Sequence, residues 1–136
     1  MFVDGRGVPL AMVITGANRH DVSQLEPLLD SIIIERPDPF EYPQNLCLDK
    51  GYTGEPALEA VVLRGFIPHI RSRGEEKRTI EQEPTYKARR WVVEVTHSWM
   101  NRFRKLLVRY EKFTPTYKAL LMLSCAFIAL RKAEVI

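Results

Sequence analysis

The chain has 136 residues, a formal net charge of +3 and 46% hydrophobic residues, which is typical of one globular domain with a single core. This composition excludes collagen, an extended coiled coil and a wholly disordered chain. No stretch reaches the roughly 20 apolar residues of a membrane helix, so we expect no membrane partner. Cys47 and Cys125 each lie inside an apolar run, and the first residues lack the pattern of a secretory signal. We therefore expect a cytoplasmic location.

The first predicted element is a hairpin. The segment Asp4-Gly5-Arg6-Gly7 is typical of a tight turn, and apolar side chains alternate through residues 8–14. Only residues 1–3 precede this turn, although a partner strand of about 5 to 6 residues is usual. We therefore expect a chain that is truncated at its N-terminus and whose set of N-terminal strands is incomplete.

Helices and strands alternate in the next part of the chain. Asp21 or Ser23 is expected to cap a helix whose buried face consists of Leu25, Leu28, Leu29 and Ile32. The apolar run 45–48 predicts a buried strand that ends at Asp49. Thr53 is expected to cap a second helix, and residues 66–70 predict a second strand. A strand, a helix and a strand in this order predict a parallel pair with a crossover.

The last part of the chain predicts a loop and two helices. Residues 71–88 are polar and charged, which is typical of a mobile loop. One helix is expected from Arg89 to about Tyr110, and another, apolar nearly all round and therefore central, over residues 117–132. The side chains on the buried face of the first are Val92, Val95, Trp99, Phe103, Leu106 and Tyr110. The predicted fold class is α/β, with a mixed sheet flanked by helices.

The two halves of the chain carry opposite charge. Residues 1–70 contain 5 Lys and Arg against 10 Asp and Glu, whereas residues 71–136 contain 15 against 7. A basic half suits a polyanion, and nucleic acid is the first such partner to consider because Lys and Arg neutralise its phosphates. A solvated basic surface without a ligand explains the charge equally well.

Asp49 is the first candidate for chemistry. It directly follows an apolar strand, and ligands and metals gather at the carboxyl ends of strands in open α/β sheets. The neighbouring Lys50 can form an ion pair with a polyanion, and Gly51 allows the backbone to approach a phosphate closely. For an isolated Asp, however, a cap of the next helix is the more common role.

Glu94 is the second candidate. It is the only acidic residue within residues 85–110, and on a continuous helix it lies opposite the buried face, near Arg90 and Lys105. An ion pair with Arg90, worth about 0.2–0.5 kcal/mol, is the competing interpretation. Taken together, Asp49 and Glu94 offer two hard oxygen ligands for Mg²⁺.

Other chemistries have less support. His20, His69 and His97 do not have the spacing of zinc ligands, and no serine lies in a nucleophile motif. Trp91 and Trp99 are side chains of the kind that stack on bases, but Trp99 belongs to the buried face and is expected in the core.

Three segments follow one another in a recognisable order. They are VDGRGVPLAMVITGANRHDVSQLEPLLD, LCLDKGYTG and RRWVVEVTHSWMNRFRKLLVRYEK. They resemble the catalytic domain of bacterial insertion-sequence transposases of the DDE type, over nearly the whole chain. The resemblance implies an RNase H-like fold over residues 1–136, in which two Asp and one Glu hold Mg²⁺ or Mn²⁺ for phosphoryl transfer. It also implies transposon ends and target DNA as partners, and the bacterial cytoplasm near the nucleoid as location.

The resemblance implies catalytic roles for two residues. Asp49 in LCLDKGY matches the second catalytic Asp of the family, and Glu94 in RRWVVEV matches its Glu, so both are implied metal ligands. The first catalytic Asp of the family lies on a strand upstream of the hairpin, and Asp4 in the turn is not expected to replace it. Because two-metal catalysis needs that carboxylate, we expect the isolated chain to be inactive.

The resemblance also implies contacts with DNA. Arg90 matches the basic residue in the Tyr, Arg, Glu, Lys signature of the family, and Lys50, Arg102 and Lys105 are further expected contacts. The departures from the signature are Tyr86, which is one position off, Val95 in place of Arg, and Asn101 in place of Lys.

Three functions stay open at this point. The first is DNA transposition as part of a complete transposase, with a homodimer or the product of an upstream reading frame as protein partner. The second is a non-catalytic DNA-binding or dimerising regulator, or a remnant of a transposase. A stand-alone RNase H-like nuclease has less support because it needs the same missing Asp.

Overall fold

The computed structural model of the chain describes residues 1–16, 18–70, 81, 89 and 91–134. Contacts within the chain form two compact units, Met1–Ile14 with Trp91–Ile136, and Thr15–Arg90. The elements are β1 (Phe2–Val3), β2 (Pro9–Ala11), α1 (Leu25–Asp30), β3 (Gln44–Leu48), α2 (Glu55–Leu63), β4 (Phe66–Ile70), α3 (Trp91–Met100), α4 (Arg104–Leu107) and α5 (Thr114–Lys132), with 3₁₀ turns at Asp21–Gln24 and Lys50–Tyr52. Helices and strands alternate as expected of a mixed α/β chain. The loop predicted over 71–88 lies, apart from Glu81, outside the described residues.

The predicted hairpin is confirmed. Strands β1 and β2 pair antiparallel, with Phe2 opposite Ala11 and Val3 opposite Pro9. Oδ1 of Asp4 accepts hydrogen bonds of 2.8 Å from the backbone N–H groups of Arg6 and Val8, which fixes the turn between the strands. The second strand is shorter than the alternation over residues 8–14 predicts, because β1 offers only two residues for pairing.

The parallel pair with its crossover helix is also confirmed. Strands β3 and β4 pair in parallel from Gln44 opposite Phe66 to Leu48 opposite Ile70, and α2 connects them. Helix α2 buries Ala57, Ala60 and Val61. The prediction that Thr53 caps α2 was wrong by one residue: Thr53 is extended, and Gly54 precedes the helix with a φ of 140° that favours glycine.

Arg64, directly after α2, connects this helix to α1 within the unit Thr15–Arg90. Its guanidinium forms ion pairs with Asp30 at 2.7 Å and with Glu26 at 3.2 Å, both on α1. Helix α1 buries Leu25 and Leu29, as predicted, but Leu28 is only half-buried and Ile32 lies beyond the end of the helix at Asp30. The predicted cap at Asp21 or Ser23 was wrong, because both residues lie in the preceding 3₁₀ turn and Gln24 precedes the helix.

The prediction of one helix from Arg89 to Tyr110 was wrong. Helix α3 ends at Met100, Phe103 adopts an extended backbone with φ −83° and ψ 107°, and α4 then forms a single turn. The rings of Phe103 and Phe127 pack edge to face with their centroids 5.7 Å apart. This contact with a distant helix stabilises a bend that the spacing of the apolar residues does not indicate.

Helix α5 is packed on one side and exposed on the other. Leu121 and Ile128 join Met100 in the core of the unit, and Ser124 is buried between them. The expectation of a central helix was therefore wrong, since four large apolar side chains of α5 are 41–67% exposed. They are Met122, Leu123, Phe127 and Leu130. None of the helices in the described ranges has the length and apolar character of a membrane span.

Candidate active site

Asp49 lies where the sequence predicts it, directly after β3. Its backbone is extended, with φ −72° and ψ 159°, and its Oδ1 accepts a hydrogen bond of 2.5 Å from the N–H of Lys50. Asp49 therefore caps the short turn Lys50–Tyr52, which is the capping role that the sequence left open. The carboxylate is nevertheless exposed to solvent at the carboxyl end of a parallel strand, where ligands commonly bind.

The residues after Asp49 leave room beside it. A Cβ placed on Gly51 would meet no atom within 4 Å, so the backbone is open to a neighbouring group at that point. Lys50 is exposed at the first position of the same turn. An open backbone and a lysine next to a carboxylate are compatible with a phosphate close to a metal ligand.

A second carboxylate, that of Asp21, acts at this edge of the unit. Burial raises the pKa of the half-buried Tyr52, and the negative charges of Asp21 and Asp49 raise it further. Tyr52 lies in the same short segment as Asp49, Lys50 and Gly51, which already drew attention to it in the sequence. Asp21 was expected only as a cap of the first helix, and nothing in the sequence indicated that it lies near Tyr52.

Glu94 lies in the first turn of α3 and is exposed. The opposite face of this helix buries Val92, Thr96 and Met100, which fixes the rotation of the helix in its unit. Glu94 thus lies away from the core, as the helical period predicts. The competing interpretation of Glu94, an ion pair with Arg90, stays open because Arg90 lies outside the described residues.

Arg102 and Lys105 do not continue the helical face of Glu94. Arg102 lies in the turn after α3 and Lys105 lies on α4, because the helix ends at Met100. Both side chains are exposed, and no described carboxylate comes within 4 Å of either cation. The placement on one continuous helix was wrong, but both cations are available to an anion.

The two predicted metal ligands belong to different units, Asp49 to Thr15–Arg90 and Glu94 to the other. Whether they share a metal ion therefore stays a prediction. Within the ranges that the structure describes, no group of three or more His, Cys, Asp or Glu side chains is arranged to hold a metal. Asp49 and Glu94 both offer carboxylate oxygens, which are the donors that Mg²⁺ and Mn²⁺ prefer.

Comparison with known proteins gives two findings. Residues 1–129 match the family described as transposase DDE domain. A protein of Burkholderia cepacia named as a transposase for insertion sequence element IS402 is 39% identical over 137 residues, a match that covers 96% of this chain. The chain spans 63% of the length of that relative. No solved structure matches the chain.

Proposed function

This chain belongs to the transposase DDE domain family as part of an insertion-sequence transposase, and we propose that it helps the complete enzyme to cleave and join DNA at transposon ends. The observation that carries the proposal is the exposed carboxylate of Asp49, directly after a parallel strand in a chain that matches the family over residues 1–129. Because the chain spans 63% of its relative, the activity is assigned to the complete transposase.

An RNase H-like fold is part of this proposal. The described strands form two two-stranded sheets, the antiparallel pair β1–β2 and the parallel pair β3–β4, so both kinds of strand pairing are present among the described residues, but a single mixed sheet is not. In the proposed domain, residues 1–136 act together.

Asp49 and Glu94 are the proposed ligands of Mg²⁺ or Mn²⁺. Both carboxylates are exposed to solvent, so a cation can approach either of them from outside. The hydrogen bond from Lys50 N–H restrains the rotation of the Asp49 carboxylate. When bound, divalent ions activate the attacking oxygen and stabilise the charge on the leaving one.

Asp4 is not proposed as a third ligand. Its Oδ1 accepts two backbone hydrogen bonds within the hairpin turn, and Arg6 lies 3.9 Å from its other oxygen. Because two carboxylates are too few to position two ions, we propose that the 136 residues alone do not cleave DNA.

DNA is the proposed partner, both as transposon ends and as target. Lys50, Arg102 and Lys105 are exposed cations that suit phosphate contacts, and Arg90 is proposed with them from the family signature. A homodimer and a location near the bacterial nucleoid stay predictions.

The test is a cleavage assay with the complete transposase on labelled transposon-end DNA, in Mg²⁺ and in Mn²⁺. Substitution of Asp49→Asn or Glu94→Gln should reduce cleavage by more than about a hundredfold, because loss of even an outer-shell partner of a metal ligand costs about 10–100-fold. Both variants should bind end DNA as before, since they lose a negative charge and no cation.

Glu59→Gln is the matched control, because Glu59 is an exposed carboxylate on α2 in the same unit as Asp49. It should leave cleavage unchanged. Cleavage that survives Asp49→Asn would remove Asp49 from the site, and cleavage that survives Glu94→Gln would do the same for Glu94.

A further inference from the structure

A pocket of about 560 Å³ opens between the end of α3 and the C-terminal half of α5. Its walls belong entirely to the unit that contains the hairpin and helices α3, α4 and α5. Neither Asp49 nor Glu94 lines it. The pocket is therefore distinct from the two carboxylates of the proposed active site, and its size is typical of pockets that enclose a small organic ligand.

Aromatic rings form the apolar wall of this pocket. Phe103 and Phe127 meet edge to face, and Phe127 is 41% exposed, so part of its ring is open to a ligand. Trp99, for which the sequence predicts a place in the core, is half-buried and contributes to the same wall. Flat aromatic ligands stack on such rings without regard to their substituents.

The polar wall of the pocket is positively charged. Arg102, Arg131 and Lys132 lie there against a single carboxylate, that of Glu134. Lys132 Nζ lies 4.4 Å from the centroid of the Trp99 ring, so the cation is held next to the aromatic wall. No ion pair within 4 Å engages these three cations in the described part of the chain.

The end of helix α5 accounts for part of this positive charge. Arg131 and Lys132 are in the last turn of α5, where positive charge offsets the partial negative charge of a helix C-terminus. Arg102 comes from a different element, the turn after α3, and yet lines the same pocket. The helix terminus thus explains two of the cations, but it does not explain why a third joins them beside aromatic rings.

We propose that this pocket binds one unstacked nucleotide of single-stranded DNA, with its base on the aromatic wall and its phosphate on Arg102, Arg131 and Lys132. The inference rests on the proposed function, in which DNA is the substrate. A nucleotide fits this chemistry because one unit carries both a flat aromatic group and an anion. The carboxylates of an acidic peptide can pair with the cations, but they do not stack on the aromatic wall.

The experiment measures the affinity of the 136-residue chain for a labelled oligothymidylate and for a duplex of the same length by fluorescence anisotropy. Phe127→Ala should weaken binding of the single strand about five- to hundredfold, the usual effect of losing one stacking ring, and leave the duplex nearly unaffected. Arg131→Gln should reduce the salt dependence of single-strand binding by about 0.7 in the logarithmic slope, because one phosphate contact is lost. Arg131 is exposed, so this variant tests the pocket even if Phe127→Ala folds poorly.

Two controls on the same helix lie outside the pocket. Leu123→Ala removes an apolar side chain that is 67% exposed, and Lys118→Gln removes an exposed cation. Both should leave single-strand affinity as in the unmodified chain. In a Trp91→Phe background, Trp99 is the only tryptophan, and its fluorescence should change when oligothymidylate binds.

The outcomes separate this inference from the proposed function. If Phe127→Ala and Arg131→Gln bind the single strand as well as the unmodified chain does, the pocket is not its site. If an acidic peptide that contains tyrosine changes Trp99 fluorescence at lower concentration than oligothymidylate does, the pocket is a protein-binding site and the inference is overturned. If the duplex binds and the single strand does not, the inference alone fails, whereas the absence of any DNA binding contradicts the proposed function too.

Discussion

Thr96 donates a hydrogen bond of 2.8 Å from its Oγ1 to the carbonyl oxygen of Gly7 and so connects the helix that carries Glu94 to the N-terminal hairpin. Thr96 is fully buried, and the carbonyl oxygen of Val92, at 3.2 Å, is a second acceptor for the same hydroxyl. Glu94 lies two positions before Thr96 on the exposed side of the helix. The hairpin therefore contributes to the position of a proposed metal ligand, although it supplies no ligand itself.

The first prediction concerns this hydrogen bond. Thr96→Val keeps the volume of the side chain but leaves the carbonyl of Gly7 without its donor, which should lower the free energy of unfolding by about 1–3 kcal/mol. Thr96→Ser keeps the hydroxyl and should cost less than Thr96→Val does. Urea unfolding at neutral pH measures both values. A Thr96→Val variant as stable as Thr96→Ser would show that the hydrogen bond contributes nothing.

A second prediction compares two glycines. Gly7 has a φ of +84°, and a Cβ there would lie 3.0 Å from Thr96 Oγ1 and from the ring of Trp99. Gly7→Ala should therefore destabilise the chain by at least about 1–3 kcal/mol, through backbone strain and overpacking. Gly51→Ala is the matched control, since a Cβ at Gly51 meets open space, and its effect on thermal unfolding should stay within about 0.5 kcal/mol.

Local signals in the sequence were sufficient for the hairpin and for the parallel pair. The turn at Asp4 and Gly7 depends on hydrogen bonds between residues no more than four positions apart, so a short segment specifies it. The position of Asp49 follows in the same way from an apolar run that ends beside it. For these elements, the local preference and the final fold agree.

Contacts between distant residues determined the features that the sequence did not predict. The helical period continues from Trp99 to Tyr110, but the edge-to-face contact of Phe103 with Phe127 accompanies a bend after Met100. Tyr110, predicted on the buried face, is 72% exposed as a result. Periodicity describes which side chains share a face of a helix, but not where a tertiary contact interrupts the helix.

A third prediction tests which side of α5 is packed. Leu121→Ala should cost about 2–4 kcal/mol, because Leu121 is buried in the core cluster and its truncation leaves a cavity. Leu123→Ala, two positions away and 67% exposed, should change the free energy of unfolding by less than about 0.5 kcal/mol. Equal losses would mean that α5 is central after all. Chemical denaturation of the two variants at the same temperature decides between these results.

The fourth prediction concerns the salt dependence of DNA binding. If Arg90, Arg102 and Lys105 contact phosphates, their combined replacement by Ala should lower the slope of log affinity against log salt by up to about 2.7 for duplex DNA. Arg64→Ala is the control, because ion pairs with Glu26 and Asp30 already engage that guanidinium. Anisotropy titrations between low and moderate salt give both slopes. An unchanged slope in the triple variant would show that these cations form a solvated surface.

The last prediction follows from the pair of Asp30 and Arg64. The hydrogen bond from Arg64, with the charge of Arg64 as a smaller cause, holds the pKa of Asp30 below its ordinary value of 3.8. A carboxyl whose pKa is lower in the folded chain than in the unfolded chain stabilises the fold at pH values above the unfolded pKa. This stabilisation is therefore complete above about pH 4 to 5 and declines as the pH falls through the lowered pKa of the folded state.

Asp30→Asn should lower stability at pH 7 and have little effect at the acid end, so its stability curve should be flatter below pH 4 than that of the unmodified chain. Urea unfolding at a series of pH values measures this difference, with Glu59→Gln on the exposed face of α2 as the control that should keep the acid decline. A variant whose stability falls with acid as steeply as that of the unmodified chain would show that Asp30 and Arg64 do not interact in solution.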